Sequence, residues 1–181
     1  MARKRCSSIL RHLHFVNNKA PRARDKLWKL RPVVEVLQKR FLFGWSLPST
    51  FSFDEGVLPA KSKWNTTRVF VSDKPHRYGS KMFMVCDSIS AYYQPCHLKG
   101  GGNVSFKCPK LVTEYQYWMG GVDVHDQLRL QWYSIQTSFR FQKYYKSLFV
   151  GVVDMALENA YTTYKQTCTI KRRVPKHRVD W

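Results

Sequence analysis

The sequence predicts an α+β domain in which an antiparallel meander sheet of three to four strands is flanked by helices from both ends of the chain. Three observations predict it. Apolar residues recur at helical steps of three and four as far as Phe43, the period shortens to two between Thr50 and Asp87, and helical spacing returns after Gly120. At 181 residues the chain has the length of one domain and can bury a core.

Cys6 to Phe15 set Leu10, Leu13 and His14 at helical spacing, and the polar, proline-containing NNKAPRARD breaks the pattern. From Asp25 to Phe43 the residues Leu27, Leu30, Val34, Leu37 and Phe41 make a second helix, with Asp25 as N-cap, Gly44 as stop and Pro32 as a kink or a restart. TFSFDEGV then alternates, with Phe51 and Phe53 opposite Ser52 and Asp54. RVFV and SKMFMVCD continue as strands on either side of SDKPHRYG, and AYYQPCHL adds a fourth short strand or ends the sheet. KGGGN, Lys99 to Asn103, is the strongest flexible punctuation. A helical stretch around Val112 to Trp118, a break at Gly120-Gly121 and a helix from Asp123 through Trp132 follow. A last long helix carries Phe141, Tyr145, Leu148, Phe149, Val152, Ala156 and Tyr164 on a broad packing face. The chain thus divides into a basic helical segment at 1–44, strands at 45–98, a glycine-rich junction at 99–103, a helical part at 104–166 and a basic tail at 167–181.

An apolar fraction of 44% with 15% aromatics excludes a disordered chain. Lys and Arg number 31 against 12 Asp and Glu, a net charge of +19 that attracts polyanions, DNA first among them. Before residue 41 the acids are Asp25 and Glu35 alone. Arg3, Lys4, Arg5, Arg22 and Arg24 near one end and Lys171, Arg172 and Arg173 near the other are therefore the candidate DNA contacts, suited to phosphates rather than to base edges. The C-terminal run reads equally as a solvated tail or as a nuclear localisation signal. MARKRCSSIL has no apolar core of a signal peptide and no apolar run is long enough to span a bilayer, so an intracellular, nuclear location is expected, without membrane or small-molecule cofactor. Cys6, Cys86, Cys96, Cys108 and Cys168 are odd in number and form no C-x-x-C pair, which argues for reduced, unligated thiols.

The chemistry rests on MGGVDVHDQLRLQWYS and on the acid-bearing strand. Asp54 lies inside a strand, where carboxylates are disfavoured. A strand aspartate facing a helix with Asp123 and Asp126, three apart and on one face, is a pattern that holds hard divalent cations such as Mg²⁺. The simpler reading of Asp123 is a first-turn acid favoured by the helix dipole, and of Asp54 an edge-strand acid in solvent. On pattern alone the capping reading of Asp123 is slightly ahead, and Asp54 is even.

RPVVEVLQKRF, SFDEGVLPAK, DKPHRYGSKMFMVCDS and MGGVDVHDQLRLQWYS, in that order, resemble the transposase domain of the piggyBac transposable element family. The resemblance implies a reduced RNase H-like domain, with Asp54 at the family's first catalytic aspartate and Asp123 and Asp126 at its late pair. Those three would be the catalytic and metal-binding residues, with Mg²⁺ if any activity is retained. The family's second aspartate, in a Cys-Asp-Asn-aromatic strand, has no counterpart here, and KGGGN stands in its place. Asp87, of the only Cys-Asp pair, would lie two strands from Asp54 in a meander, roughly 9.6 Å at about 4.8 Å per strand, too far to share metals about 4 Å apart. The expectation is an internally deleted, catalytically inactive remnant that retains electrostatic DNA binding, with self-association or pairing with an intact transposase open to it. The alternative is a metal-dependent nuclease or transposase acting through the remaining aspartates. Loss of the neighbouring strand also predicts that TFSFDEGV forms an edge of the sheet, with unpartnered backbone groups to satisfy.

Overall fold

A computed structural model describes residues 3–17, 19, 27–46, 49–60, 62, 65, 67–72, 74, 76–95, 119–130, 134–139, 141 and 143–181. Its elements are α1 (Arg3–His12), α2 (Arg31–Gly44), β1 (Phe51–Pro59), β2 (Arg68–Phe70), β3 (Tyr78–Asp87), β4 (Tyr93–Pro95), α3 (Gly120–Leu130), α4 (Ile135–Ser138) and α5 (Tyr144–Ile170). KGGGN, Val112–Trp118, Asp25, Cys96 and Cys108 lie outside the described residues.

Proline 32 restarts a helix rather than kinking one. Leu27 to Leu30 form a turn, and α2 then opens at Arg31 with the proline in its first turn, where a missing N–H costs nothing. α2 runs through Gly44 and ends at Trp45 in extended conformation. The glycines of Gly120-Gly121 are not a break either, since α3 begins at Gly120. A Cβ on Gly121 would stand 2.5 Å from the Ser52 hydroxyl and 3.0 Å from the Asp87 carbonyl, so glycine here lets the helix lie directly against β1 and β3.

The sheet is antiparallel throughout and is not a meander. β3 is central: β1 pairs along one side of it, from Phe51 opposite Asp87 to Pro59 opposite Gly79, while β2 and β4 share the other side. The reason is length. β3 has ten residues and β2 only three, so β2 covers just the Tyr78–Ser80 end of β3 and cannot separate it from the nine-residue β1. One face, carrying Leu58, Met82, Met84 and Cys86, packs with Leu30, Phe41, Tyr93, Val122, Leu148 and Met155 into a single buried cluster. Between α2, the sheet and α5 this core leaves an apolar cavity of about 50 Å³. That is well under the roughly 300 Å³ at which ligand pockets begin.

β1 is an end strand of the sheet among the described residues, as expected, but side chains close part of its outer edge. Ala60 N–H donates to the Tyr78 carbonyl, so even-numbered residues direct their backbone groups toward β3 and odd-numbered ones outward. Arg129 donates to the outward carbonyl of Val57 at 2.9 Å and Gln136 to that of Pro59 at 2.9 Å. Pro59 itself has no N–H to leave unpaired. On the far side Asn159 of α5 plays the part of a strand for β4, accepting from Tyr93 N–H and donating to the Tyr93 carbonyl, both at 2.8 Å.

Candidate functional site

The helix α3 brings Asp123 and Asp126 over β1, the strand that bears Asp54. Asp123 lies in the first turn of α3, and Asp126, one turn on, turns its carboxylate to the sheet. A Cβ on Gly56 would stand 3.6 Å from Asp126 Oδ1, so the bare backbone at Gly56 admits that carboxylate to the strand surface. Asp54 shares this face with Gly56 and is half-buried.

Each helix aspartate already has a cation of its own chain. Arg129 Nη2 lies 2.8 Å from Asp126 Oδ1, an ion pair one helical turn long in which the guanidinium is 1% exposed. The same nitrogen donates to Val57, and Nη1 donates to Gln136 Oε1 at 3.4 Å. Asp123 Oδ1 accepts from Lys74 Nζ at 2.8 Å. Lys74 stands in the KPHRYG connection between β2 and β3, so this pair ties that connection to α3. Burial opposes the charged form of Lys74. The hydrogen bond and charge of Asp123, with the charges of Asp126 and Asp54, override it and raise the lysine pKa.

Among the described residues no three His, Cys, Asp or Glu side chains converge to hold a metal ion. Two hard divalent ions need several oxygen ligands around each. Asp54, Asp123 and Asp126, with two of them engaged by Lys74 and Arg129, do not fit such a pair. Asp87 is the last residue of β3, and its side chain serves the turn that follows. β3 adjoins β1 directly rather than lying two strands away, yet Asp87 pairs with Phe51, three positions from Asp54 and therefore on the opposite face. Its carboxylate accepts from Ile89 N–H at 2.9 Å and from the Ser90 hydroxyl at 2.8 Å.

His125, between the two aspartates, points into the core. It is fully buried, its Nδ1 lies 3.0 Å from the Ala91 carbonyl, and its ring lies beside Tyr93. A carbonyl only accepts, so Nδ1 carries a proton, while the buried Nε2 has no hydrogen-bond partner among the described residues. Burial first, then the Arg129 charge, pushes its pKa down to about 4.

Lys74 and Arg129 were not singled out from sequence. The signal for Arg129 was present, because it follows Asp126 by the same three residues that separate Asp126 from Asp123. Nothing local marks Lys74, which lies 49 residues from its partner.

The basic candidates fall into two groups. Arg3 opens α1, and Lys4 and Arg5 on α1 are exposed; Arg22 and Arg24 lie outside the described residues. Lys171, Arg172 and Arg173 are exposed just beyond α5. The end of α1 meets the start of α5, where Lys146 donates to the Arg11 carbonyl. The two groups therefore sit toward opposite ends of a 27-residue helix, about 40 Å long at 1.5 Å per residue.

The tail beyond them folds back on the domain. Arg172 takes a left-handed conformation, φ 51°, and turns the chain back. Arg178 then pairs with Glu158, which is 1% exposed, and donates to the Leu128 carbonyl of α3 at 2.5 Å. Trp181 packs on Tyr161 and Tyr164.

Comparison with known proteins agrees with this architecture. Residues 1–98 match the family model described as Transposase IS4. Over 97 residues the chain is 31% identical to human PiggyBac transposable element-derived protein 3, a match covering 52% of this chain and 16% of that protein. It is 31% identical over the same length to the human Chimeric ERCC6-PGBD3 protein, covering 9% of it. Its fold is similar to that in a cryo-EM structure of a piggyBac transposase synaptic complex with hairpin DNA, with a TM-score of 0.74 at 14% identity. That likeness covers 99% of this chain and 61% of the other. No described helix is long and apolar enough to cross a membrane.

Proposed function

Because this chain belongs to the Transposase IS4 family, in its piggyBac branch, we propose that it is a transposase-derived DNA-binding domain without cleavage activity, built on a reduced RNase H-like sheet. The observation that carries this reading is the distribution of charge. Among the described residues the acids Asp87, Asp126, Asp154 and Glu158 are buried, with Asp126, Asp154 and Glu158 each held by partners in their own chain, and the bases Arg129 and Lys146 are buried with them. Lys4, Arg5, Lys171, Arg172 and Arg173 are exposed. The surface therefore keeps the excess of positive charge that the sequence carries, and it presents part of that charge toward both ends of α5, a helix of 27 residues and about 40 Å. The fold it shares with a transposase solved on hairpin DNA supports the same partner.

Fluorescence anisotropy with a labelled duplex across a salt series tests it. Binding of low sequence preference is expected, its logarithm falling with log salt by about 0.9 per phosphate contact. The triple variant Lys171→Ala/Arg172→Ala/Arg173→Ala lowers that slope by up to about 2.7 if all three touch phosphate. Salt-independent binding, or none, rejects the reading.

The second reading, a Mg²⁺-dependent nuclease acting through Asp54, Asp123 and Asp126, is favoured by one observation: α3 carries both helix aspartates against β1. Supercoiled plasmid incubated with Mg²⁺ or Mn²⁺ decides between them. No nicking above the buffer control is expected, and nicking abolished by Asp54→Asn would establish the nuclease.

A further inference from the structure

We infer that the N-terminal end of α5 is a phosphate-binding site, in which Lys146, Lys143, Lys29 and His14 gather about Tyr145 and hold the anion at the first turn of the helix. Lys146 is 5% exposed, and its ammonium donates to the Arg11 carbonyl at the end of α1. An ammonium has three donors, and one carbonyl does not neutralise its charge. Among the described residues no carboxylate pairs with Lys146, Lys143 or Lys29, whereas the buried guanidinium of Arg129 has Asp126. A buried charge without a counter-ion is costly, and a bound anion would offset that cost. The other cations reach the same tyrosine from elsewhere in the chain: Lys29 Nζ lies 5.1 Å from the centre of the Tyr145 ring, and His14 Nδ1 lies 3.5 Å from its hydroxyl. Lys143 is the N-cap of α5, and Lys146 stands in its first turn. Acids belong at such positions because the helix dipole is positive there, yet α5 has no acid in its first turn and no capping side chain. An anion would meet dipole and lysines together. Partial loss of solvent comes first, then the charges of Lys146, Lys143, Lys29 and His12, in holding the His14 pKa below 6.5, so the ring senses the same field. By sequence, the connection from Asn17 to Lys26 adds Lys19, Arg22, Arg24 and Lys26 against Asp25 alone, a net charge of the same sign. Through Arg11 the site adjoins a polar groove of about 300 Å³ on α1, lined among the described residues by Lys4, Ser7, Ser8 and Arg11. Such a groove suits an anion that continues beyond one phosphate, as a nucleic-acid backbone does.

The site rests on the DNA-binding reading only for the source of its phosphate, so inorganic phosphate alone tests it, titrated at fixed ionic strength against chloride. The melting midpoint of wild type is expected to rise, and the His14 ring protons to shift along the same curve. Both readouts exist in wild type, so the test does not depend on a variant that folds. Lys29→Ala/Lys143→Ala, at a half-buried and an exposed position, is expected to weaken phosphate binding by about tenfold or more. Lys39→Ala/Arg40→Ala removes the same charge from exposed positions of α2 and is expected to keep the wild-type response. A midpoint and a His14 signal that ignore phosphate overturn the inference, and so does an equal loss in the two double variants.

A labelled duplex in the same buffers separates the source of the phosphate from the existence of the site. Weaker duplex binding by Lys29→Ala/Lys143→Ala supports the site with the DNA backbone as its source. Unchanged duplex binding, with the response to inorganic phosphate lost, supports the site with a free phosphate as its ligand. Salt-dependent duplex binding by a wild type that ignores inorganic phosphate would overturn the site and leave the proposed function standing, and phosphate binding without duplex binding would do the reverse.

Discussion

Arg129 donates through Nη2 to the backbone carbonyl of Val57 at 2.9 Å, so a helix side chain completes an outward hydrogen bond of β1. The same nitrogen neutralises Asp126. A buried guanidinium with these partners cannot lose one cheaply, because removal of one member leaves the other buried and unpaired. Arg129→Met is expected to cost about 3–5 kcal/mol of a total near 5–15 kcal/mol, read as a lower urea midpoint with unchanged slope. A loss under 1 kcal/mol would mean that water replaces the guanidinium at both sites.

Asp154 of α5 caps the short α4 from outside. Its carboxylate accepts from the Ser134 hydroxyl at 2.9 Å and from the N–H groups of Ile135 and Gln136 at 3.0 Å each. Four residues do not hold a helix alone. Asp154→Ala is expected to destabilise by about 2–3 kcal/mol. It also frees Gln136 from Pro59, so amide exchange should quicken across Ile135–Ser138 before the rest of the chain.

Stability should fall as the solution is acidified through the histidine range. The folded pKa of His125 is lowered to about 4 from 6.5, so below pH 6.5 the unfolded chain takes up a proton that the native chain refuses. Its contribution is fully present above pH 6.5 and is lost progressively toward pH 4, by about 3 kcal/mol at 1.36 kcal/mol per pKa unit. Glu158 acts with the opposite sign. Burial raises its pKa above 4.5 against the pull of Arg178, so its contribution declines as pH rises above 4.5. His125 is isolated as the difference between wild type and His125→Gln in urea titrations at pH 7 and pH 5. A difference that does not change between those pH values would show the ring to be reachable by protons in the native state.

Arg178 fastens the C-terminal strap to Glu158 and to Leu128. With the glutamate 1% exposed and the arginine 20% exposed, Arg178→Ala is expected to cost about 2–4 kcal/mol, somewhat less than a pair buried at both ends. Limited trypsin digestion should then cut after Lys176 in the variant well before wild type. Equal cutting would mean that the remaining contacts, the Tyr161 and Tyr164 hydroxyls on the Lys176 backbone and Trp181 against the same two rings, hold the strap without Arg178.

What the sequence determined by itself was local. The change from helical spacing to alternation and back follows from which side chains must face a core, and β1, β3, α3 and α5 formed where those periods lie. The four quoted stretches identified the family, and the three-residue spacing placed Asp123 and Asp126 together on one helix. Pairing order and counter-ions were decided by the tertiary structure. That β3 stands between β1 and β2 depends on relative strand lengths and on what each leaves uncovered. That Gly120-Gly121 opens a helix depends on the approach of Ser52. The partners of the site residues were legible only where sequence spacing equals spatial spacing. Arg129 is one turn from Asp126, whereas Lys74 reaches Asp123 across 49 residues and Asn159 reaches Tyr93 across 66. Ion pairs and edge caps of that kind carry no periodic signature, because their geometry exists only once the sheet and α5 have packed.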